Sequence, residues 1–313
     1  MCCPAGAIRR DAGYHTRMDL SGIYPPVPTL FTDTGALDLD GLSAMLVRLQ
    51  DEPLRGFVLG GSNGEFTSLT LEERLNVVRT ARAVVARDRW LIAGSGLEST
   101  AGTIELTRAM AAEGADAALV VTPGYFKARM TIAALVAHFT AVADASPIPV
   151  ILYSVPANTG VDLPAEAVVA LSHHANIIGL KDSGGDITKF GRMALECQPG
   201  FQLLAGSAGF LLPALVVGGC GGIMALANVA PRPLRSIMDD LAAGDLAAAR
   251  ATQLRLIPAN TAVTARFGVA GLKAALDMLG HTGGVPRPPL LPLTGAERQD
   301  LRNILIKAEL LAE

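Results

Sequence analysis

Eight short apolar stretches, each followed by a helical pattern, constrain the fold of this chain more than any other feature of its sequence. The stretches lie at residues 22–31, 56–61, 91–96, 117–122, 149–155, 177–183, 201–206 and 221–228. Their apolar residues are mostly continuous rather than alternating, which is typical of parallel strands covered on both faces. In one of the helical patterns, Thr70 is followed three positions later by Glu73, which predicts a capping box. The sequence therefore predicts a series of βα units.

Eight such units favour an α/β fold in which the sheet closes on itself, a (β/α)8 TIM barrel with a C-terminal helical extension. A doubly wound open sheet is the alternative, because local patterns do not show whether a sheet closes. We expect an N-terminal tail over residues 1–20, the barrel core over 21–230 and C-terminal helices packed on the barrel over 231–313. A proline-rich stretch at 285–292 precedes the last predicted helix, at 295–311.

Composition excludes several classes of protein. Half of the residues are apolar and 18% are charged, which supports a large core and argues against disorder. A net charge of −3 and an aromatic content of 4% predict no nucleic-acid partner. Residues 197–231 carry no charge and are long enough to span a bilayer, but they are rich in glycine and lack flanking anchors. A buried strand–helix–strand unit explains them better, so we predict no membrane partner.

The four cysteines and five histidines match no metal-binding, redox or disulfide pattern. We therefore expect no metal, no cofactor and a reducing compartment. Residues 1–18 contain three arginines but no apolar stretch of secretory length, which favours a disordered tail or an upstream start codon. The predicted location is cytoplasmic, or mitochondrial if this segment is a transit peptide.

Lys181 is the unusual residue at the strand ends, where barrel enzymes place their chemistry. It follows the apolar run 177–180, and strand alternation puts Gly179, Lys181 and Ser183 on one face. If that face is the barrel interior, burial disfavours the charged ammonium, and a neutral amine can attack a ketone to form an imine. The alternative is a lysine that leaves the strand and reaches solvent.

Other strand ends offer candidates that are individually ambiguous. Tyr153 and Tyr125 could each transfer protons or simply pack for their area. Ser62 and Asn63 could present hydroxyl, amide and backbone N–H groups to a carboxylate, or form a plain turn. The glycines at 218–222 lack the spacing of a phosphate-binding loop, and no GxSxG elbow indicates a serine hydrolase.

In combination, these motifs resemble the dihydrodipicolinate synthase/N-acetylneuraminate lyase family of class I aldolases. The resemblance extends from about Ser21 to the C-terminal region. It rests on the loop GSNGE at 61–65, on Tyr153, on Lys181, and on the interval between these two residues, which the family pattern requires. Within the family, the stretches 153–160 (YSVPANTG), 181–186 (KDSGGD) and 204–210 (LAGSAGF) are most similar to 4-hydroxy-2-oxoglutarate aldolases.

The resemblance implies specific roles. Lys181 would form the Schiff base, Tyr153 would transfer protons, and Tyr125 would be the tyrosine that reaches across a dimer interface. The substrate would be bound by four further residues: Ser62, Asn63, Ser183 and Gly206. It also implies a small 2-oxo acid as substrate and a homotetramer built as a dimer of dimers.

One position departs from the synthase pattern. Dihydrodipicolinate synthases usually carry an arginine five residues after the catalytic tyrosine, where it holds the carboxylate of the aldehyde substrate, and here that position is Asn158. We therefore expect a carbon–carbon lyase that cleaves 4-hydroxy-2-oxoglutarate to pyruvate and glyoxylate. The alternatives are dihydrodipicolinate synthase, an aldolase acting on a sugar-derived 2-oxo acid, a metal-dependent aldolase, and a barrel that binds an oxo acid without catalysis.

Overall fold

The computed structural model describes residues 18–312 and contains eight parallel strands in a single sheet. All eight predicted strands are confirmed, at shorter lengths. In chain order they are Gly22–Tyr24 (β1), Gly56–Leu59 (β2), Trp90–Gly94 (β3), Ala117–Val121 (β4), Val150–Ser154 (β5), Ile177–Asp182 (β6), Gln202–Ala205 (β7) and Gly221–Ile223 (β8).

The sheet closes into a barrel. Strands β2 to β8 pair in sequence order, and β1 pairs with β8 through Gly22 and Gly221. Beyond the end of β1, the Val58 N–H donates to the carbonyl oxygen of Pro25 (3.0 Å) and the Val27 N–H donates to that of Val58 (2.9 Å). These bonds join β1 and β2, so the (β/α)8 TIM barrel is confirmed and the open-sheet alternative is wrong.

Helices surround the barrel and extend beyond it. They are Leu39–Leu49 (α1), Leu71–Val84 (α2), Thr100–Ala112 (α3), Ile132–Ala145 (α4), Pro156–Thr159 (α5), Ala165–Leu171 (α6), Ile187–Glu196 (α7), Leu211–Val216 (α8), Pro231–Ala242 (α9), Leu246–Thr261 (α10), Gly268–Met278 (α11) and Gly295–Lys307 (α12). The capping box of Thr70 and Glu73 at the start of α2 is confirmed.

Two apolar layers hold the barrel together. The larger lies between strands and helices, and the smaller fills the barrel interior with side chains from all eight strands. Met18 and Leu20, which the sequence assigns to the tail, are buried in the interior cluster. The rest of the predicted tail, residues 1–17, lies outside the described residues.

The C-terminal region is helical, as expected. Gly244 has a φ of +84° and separates α9 from α10, because a left-handed residue ends a helix. The uncharged stretch 197–231 forms β7, the short helix α8 and β8. Among residues 18–312, no helix combines the length and the apolar character needed to cross a membrane.

Candidate active site

Lys181 lies at the C-terminal end of β6 and points into the barrel. Lys181 is only 3% exposed, so the alternative in which this lysine reaches solvent is wrong. The pairing of β5 with β6 shifts by one residue near Ile178, after which Ile151 pairs with Gly179 and Tyr153 with Lys181. Because of this bulge, Ile178 joins the interior cluster and Lys181 shares the interior face with Tyr153.

Tyr153 lies beside Lys181 on the neighbouring strand. The Lys181 Nζ is 4.0 Å from the centre of the tyrosine ring. The Tyr153 hydroxyl is 3.3 Å from the Ser62 Oγ. Burial by itself raises the pKa of the Tyr153 phenol, but the charge of Lys181 and hydrogen bonds with Ser62, Lys181 and Ser183 outweigh burial, so this pKa lies below its ordinary value. A phenol with a lowered pKa is suited to accept and return a proton.

Ser62 and Asn63 belong to a single 3-10 turn that follows β2. The turn brings Ser62 to Tyr153, and Asn63 is half-buried next to it. Thr29 donates its hydroxyl hydrogen to the carbonyl oxygen of Gly64 (2.7 Å), which ties the turn to the segment after β1. The turn thus places the Ser62 hydroxyl beside Tyr153, with Asn63 as the next residue of the same turn.

Ser183 and Gly206 follow β6 and β7 and lie against each other. The Gly206 N–H donates to the carbonyl oxygen of Asp182 at 2.7 Å. A Cβ on Gly206 would overlap the Ser183 hydroxyl and lie 2.6 Å from that same Asp182 oxygen. Only glycine fits there, because the backbone of one strand end approaches the other this closely.

Glycine backbone also lines the space in front of Tyr153. This small cavity is bordered by Gly60, Gly61, Gly94 and Gly96 together with four side chains, among them that of Tyr153. A Cβ on Gly94 would overlap the Gly60 carbonyl, so glycine at this position allows the ends of β2 and β3 to pack closely.

Tyr125 does not join this group within the described chain. It follows β4, its side chain is 76% exposed, and its ring packs edge-on against Phe126 at 5.0 Å. Glu98 accepts hydrogen bonds from the backbone N–H groups of Gly124 and Tyr125, which fixes the segment that carries the ring. Asn158 is exposed in α5, directly after β5.

Two ion pairs near the site were missed from the sequence. Asp182, the neighbour of Lys181, is 1% exposed, and its Oδ2 contacts the Lys189 Nζ of α7 at 2.7 Å. Glu65, at the end of the Ser62–Asn63 turn, contacts the Lys273 Nζ of α11 at 2.6 Å. An available signal was the presence of a lysine within the largely apolar helix α11. Between residues 18 and 312, His, Cys, Asp and Glu side chains form no group of three or more that could hold a metal ion.

A buried lysine and a buried tyrosine on adjacent strands, at the C-terminal end of a (β/α)8 barrel, are the groups that a class I aldolase needs: an amine that can form an imine and a phenol that can carry a proton. Comparison with known proteins agrees with this class. The model of the dihydrodipicolinate synthetase family matches residues 19–308. A curated 4-hydroxy-tetrahydrodipicolinate synthase from an Exiguobacterium species is 38% identical over 285 residues, which cover 91% of this chain and 97% of that protein.

Solved structures lead to the same family. A dihydrodipicolinate synthase from Bacillus anthracis superposes with a TM-score of 0.89 at 30% identity, covering 92% of this chain and 98% of that one. A prophage protein of the dihydrodipicolinic acid synthase family from E. coli K12, in complex with pyruvate, gives a TM-score of 0.86 at 33% identity, covering 93% and 99%. The chain belongs to the dihydrodipicolinate synthetase family. None of these three relatives is named a 4-hydroxy-2-oxoglutarate aldolase, so that narrower prediction rests on sequence motifs.

Proposed function

We propose that this protein forms an imine between Lys181 and a 2-oxo acid and uses it to cleave 4-hydroxy-2-oxoglutarate to pyruvate and glyoxylate. The contact between Lys181 and Tyr153 is the observation that carries the proposal, because it pairs a buried amine with a buried proton carrier. The burial of both groups also keeps bulk water away from the reacting atoms.

The reaction proceeds in five steps. The Lys181 ammonium gives up one proton and its amine attacks the C2 ketone. Return of that proton, with loss of water, gives a protonated imine, which serves as the electron sink. Tyr153 removes the proton of the C4 hydroxyl, the C3–C4 bond breaks, and glyoxylate leaves. The electron pair of the broken C3–C4 bond becomes the C2–C3 double bond of an enamine. Tyr153 returns a proton to C3, and water hydrolyses the imine to release pyruvate and the free amine.

The carboxylate next to the ketone needs a binding site that does not compete with Lys181. Ser62 and Asn63 supply it in this proposal, since the Ser62 hydroxyl lies 3.3 Å from that of Tyr153 and Asn63 is the next residue of the same turn. Ser183, which hydrogen-bonds with Tyr153, and Gly206, which lies against Ser183, would border the same substrate. The side chains of Ser62 and Asn63 are uncharged, so hydrogen bonds rather than ion pairs would hold the carboxylate.

The choice of aldehyde depends on Asn158. Aspartate semialdehyde carries its carboxylate several bonds from the aldehyde carbon, where a cation after β5 could hold it. Glyoxylate carries its carboxylate directly on that carbon, deeper in the barrel. The uncharged and exposed Asn158 therefore supports glyoxylate as the aldehyde product.

A second candidate is synthesis of 4-hydroxy-tetrahydrodipicolinate from pyruvate and aspartate semialdehyde. The name of the Exiguobacterium relative favours it. Both reactions use the same imine and differ in the aldehyde, so they are separated by substrate and not by mechanism.

Borohydride reduction in the presence of pyruvate tests the imine. We expect a stable adduct on Lys181, located by peptide mass analysis, and none in Lys181→Met. An unmodified Lys181 in folded protein would refute the mechanism. If such protein still binds pyruvate in calorimetry, it is an oxo-acid-binding barrel instead.

A substrate panel tests the aldehyde. We expect 4-hydroxy-2-oxoglutarate, or glyoxylate with pyruvate, to give the highest kcat/KM. Asn158→Arg should lower this value and raise that for aspartate semialdehyde, and Asn158→Gln is the uncharged control of similar size. If the wild type turns over aspartate semialdehyde fastest, the synthase candidate replaces the lyase. Activity lost to a chelator would indicate a metal-dependent aldolase.

Assembly as a dimer of dimers is part of the proposal, because within one chain Tyr125 is exposed and its ring packs against Phe126. A neighbouring chain would bring the Tyr125 hydroxyl to the site. Light scattering should give the mass of a tetramer, and Tyr125→Phe should lower kcat with little change in mass. A fully active monomer would contradict this role.

A further inference from the structure

The carboxylate of Glu65 is held by two groups from the C-terminal part of the chain. Its Oε1 contacts the Lys273 Nζ at 2.6 Å, and its Oε2 accepts a hydrogen bond from the Arg287 backbone N–H at 2.8 Å. The side chains of Glu65 and Lys273 are 1% and 0% exposed. An ion pair this deeply buried is costly to desolvate, so its presence is explained better by what it holds in place than by a net gain in stability.

The backbone at Glu65 adds a second and independent observation. Glu65 has φ 51° and ψ 37°, a left-handed conformation that residues other than glycine rarely adopt. It ends the 3-10 turn Ser62–Gly64, with its N–H donating to the carbonyl oxygen of Ser62 at 3.1 Å. Such strain persists only where surrounding contacts impose it, and the carboxylate contacts of Glu65 do so here.

Lys273 is itself held on several sides. Its Nζ donates to the carbonyl oxygen of Val285 at 2.9 Å and lies 4.5 Å from the centre of the Phe31 ring. The Arg287 guanidinium lies over the same ring at 4.3 Å. Burial lowers the pKa of Lys273, and Glu65 opposes this effect. The ammonium therefore depends on Glu65 for its charge compensation, and the two side chains form one unit.

We propose that the Glu65–Lys273 pair is a positioning device that fixes the Ser62–Asn63 turn for binding the 2-oxo acid carboxylate. The proposal rests on the function assigned above to that turn. Loss of the pair would let Glu65 leave the left-handed region, and Ser62 and Asn63 would then move relative to Tyr153. Because the carboxylate is bound before and during the reaction, the loss should appear in KM and much less in kcat.

The double variant Glu65→Leu/Lys273→Met in the full-length chain tests this. It removes both charges together, so no unpaired charge remains buried. We expect the pyruvate concentration at half-maximal borohydride trapping and the KM to rise about tenfold, with kcat changed less than about threefold. Backbone amides of residues 62–65 should also exchange with deuterium faster, a readout that needs no substrate.

The matched control removes another largely buried ion pair. Arg82 of α2 contacts Asp116 at 3.1 Å, and Asp116 precedes β4, at the end of the barrel opposite to Tyr153. Arg82→Met/Asp116→Leu should change the melting temperature without changing the KM or the exchange at residues 62–65.

Unchanged exchange at residues 62–65 in the folded Glu65→Leu/Lys273→Met protein, or an unchanged KM, overturns the positioning role. If that variant does not fold, Glu65→Asp decides the question, because its shorter side chain keeps the charge but cannot reach Lys273 and Arg287 together. Wild-type exchange and KM in Glu65→Asp would equally overturn the role. Failure of the wild type to form an imine would instead refute the proposed function. The exchange result would still show whether the Glu65–Lys273 pair holds residues 62–65 in place.

Discussion

Replacing Tyr153 with phenylalanine separates the chemistry of this residue from its packing. The variant keeps the ring over which the Lys181 ammonium lies at 4.0 Å and loses only the hydroxyl, which hydrogen-bonds with Ser62 at a long 3.3 Å and with Lys181 and Ser183. Each such hydrogen bond contributes about 1 kcal/mol or less to folding, and removing the buried hydroxyl also removes its desolvation cost. A positioned proton carrier contributes about 10²- to 10⁴-fold to rate, which corresponds to roughly 3–5 kcal/mol of barrier. The expected loss of activity, in free energy, is therefore larger than the expected loss of stability.

The assay measures release of pyruvate by the Tyr153→Phe protein alongside its melting temperature and its borohydride adduct. We expect kcat to fall by about 10²-fold or more, while the protein melts near the wild type and Lys181 still reacts with pyruvate. Tyr24→Phe is the matched control, since Tyr24 is fully buried in the same interior near Asp19 and Cys220, at the opposite end of the barrel. Turnover of Tyr153→Phe equal to that of Tyr24→Phe would refute the proton-transfer role.

Three further outcomes follow from the geometry and charges of the molecule. In Lys181→Met the pKa of the Tyr153 phenol should rise, because burial then acts without the opposing positive charge of Lys181. Ultraviolet titration of tyrosinate measures this pKa, with the double variant Lys181→Met/Tyr153→Phe as the reference that lacks the Tyr153 signal. An unchanged pKa would contradict the prediction. Gly206→Ala should raise the KM for the 2-oxo acid, because its methyl group would lie 2.6 Å from a carbonyl oxygen of the neighbouring strand end; steady-state kinetics with an unaltered KM would show that the strand ends can separate freely. The Arg287 hydrogen bond lowers the pKa of Glu73 to about 2, so this pair stabilises the fold above pH 4.5 and is lost as the pH falls towards 2. Glu73→Gln should remove about 1 kcal/mol of that acid-dependent stability after allowance for solvent screening, as judged by urea unfolding at two pH values.

The strands could be predicted because their signals are local, whereas the pairing of Lys181 with Tyr153 was an expectation from the family resemblance. Continuous apolar runs locate parallel strands, and alternation alone places Lys181 with Gly179 on one face. Strand lengths were overestimated where buried residues continue into irregular structure. After β1 the chain reaches Pro25 and Pro26, which lack N–H groups for a ladder, and after β8 it forms the buried 3-10 turn Ala225–Asn228.

The anchoring of the Ser62–Asn63 turn could not be predicted, since it depends on contacts between distant parts of the chain. The sequence around Glu65 reads as an ordinary turn, and nothing near it indicates Lys273 as a partner. The bulge at Ile178 is likewise set by the pairing of β5 with β6 and not by the residues of β6 alone. Sequence patterns identify which groups can react, whereas tertiary contacts decide how they are held.

The contact between Glu65 and Arg287 joins residues that are 222 positions apart. On a ribosome, all eight strands would be synthesised before Lys273 and Arg287, because β8 ends at Ile223. A nascent chain could therefore close its barrel and bury Lys181 while the Ser62–Asn63 turn still lacked its anchors. The order of synthesis would delay tight binding of the 2-oxo acid until the C-terminal helices dock, and chains released before Lys273 would be barrels of low substrate affinity.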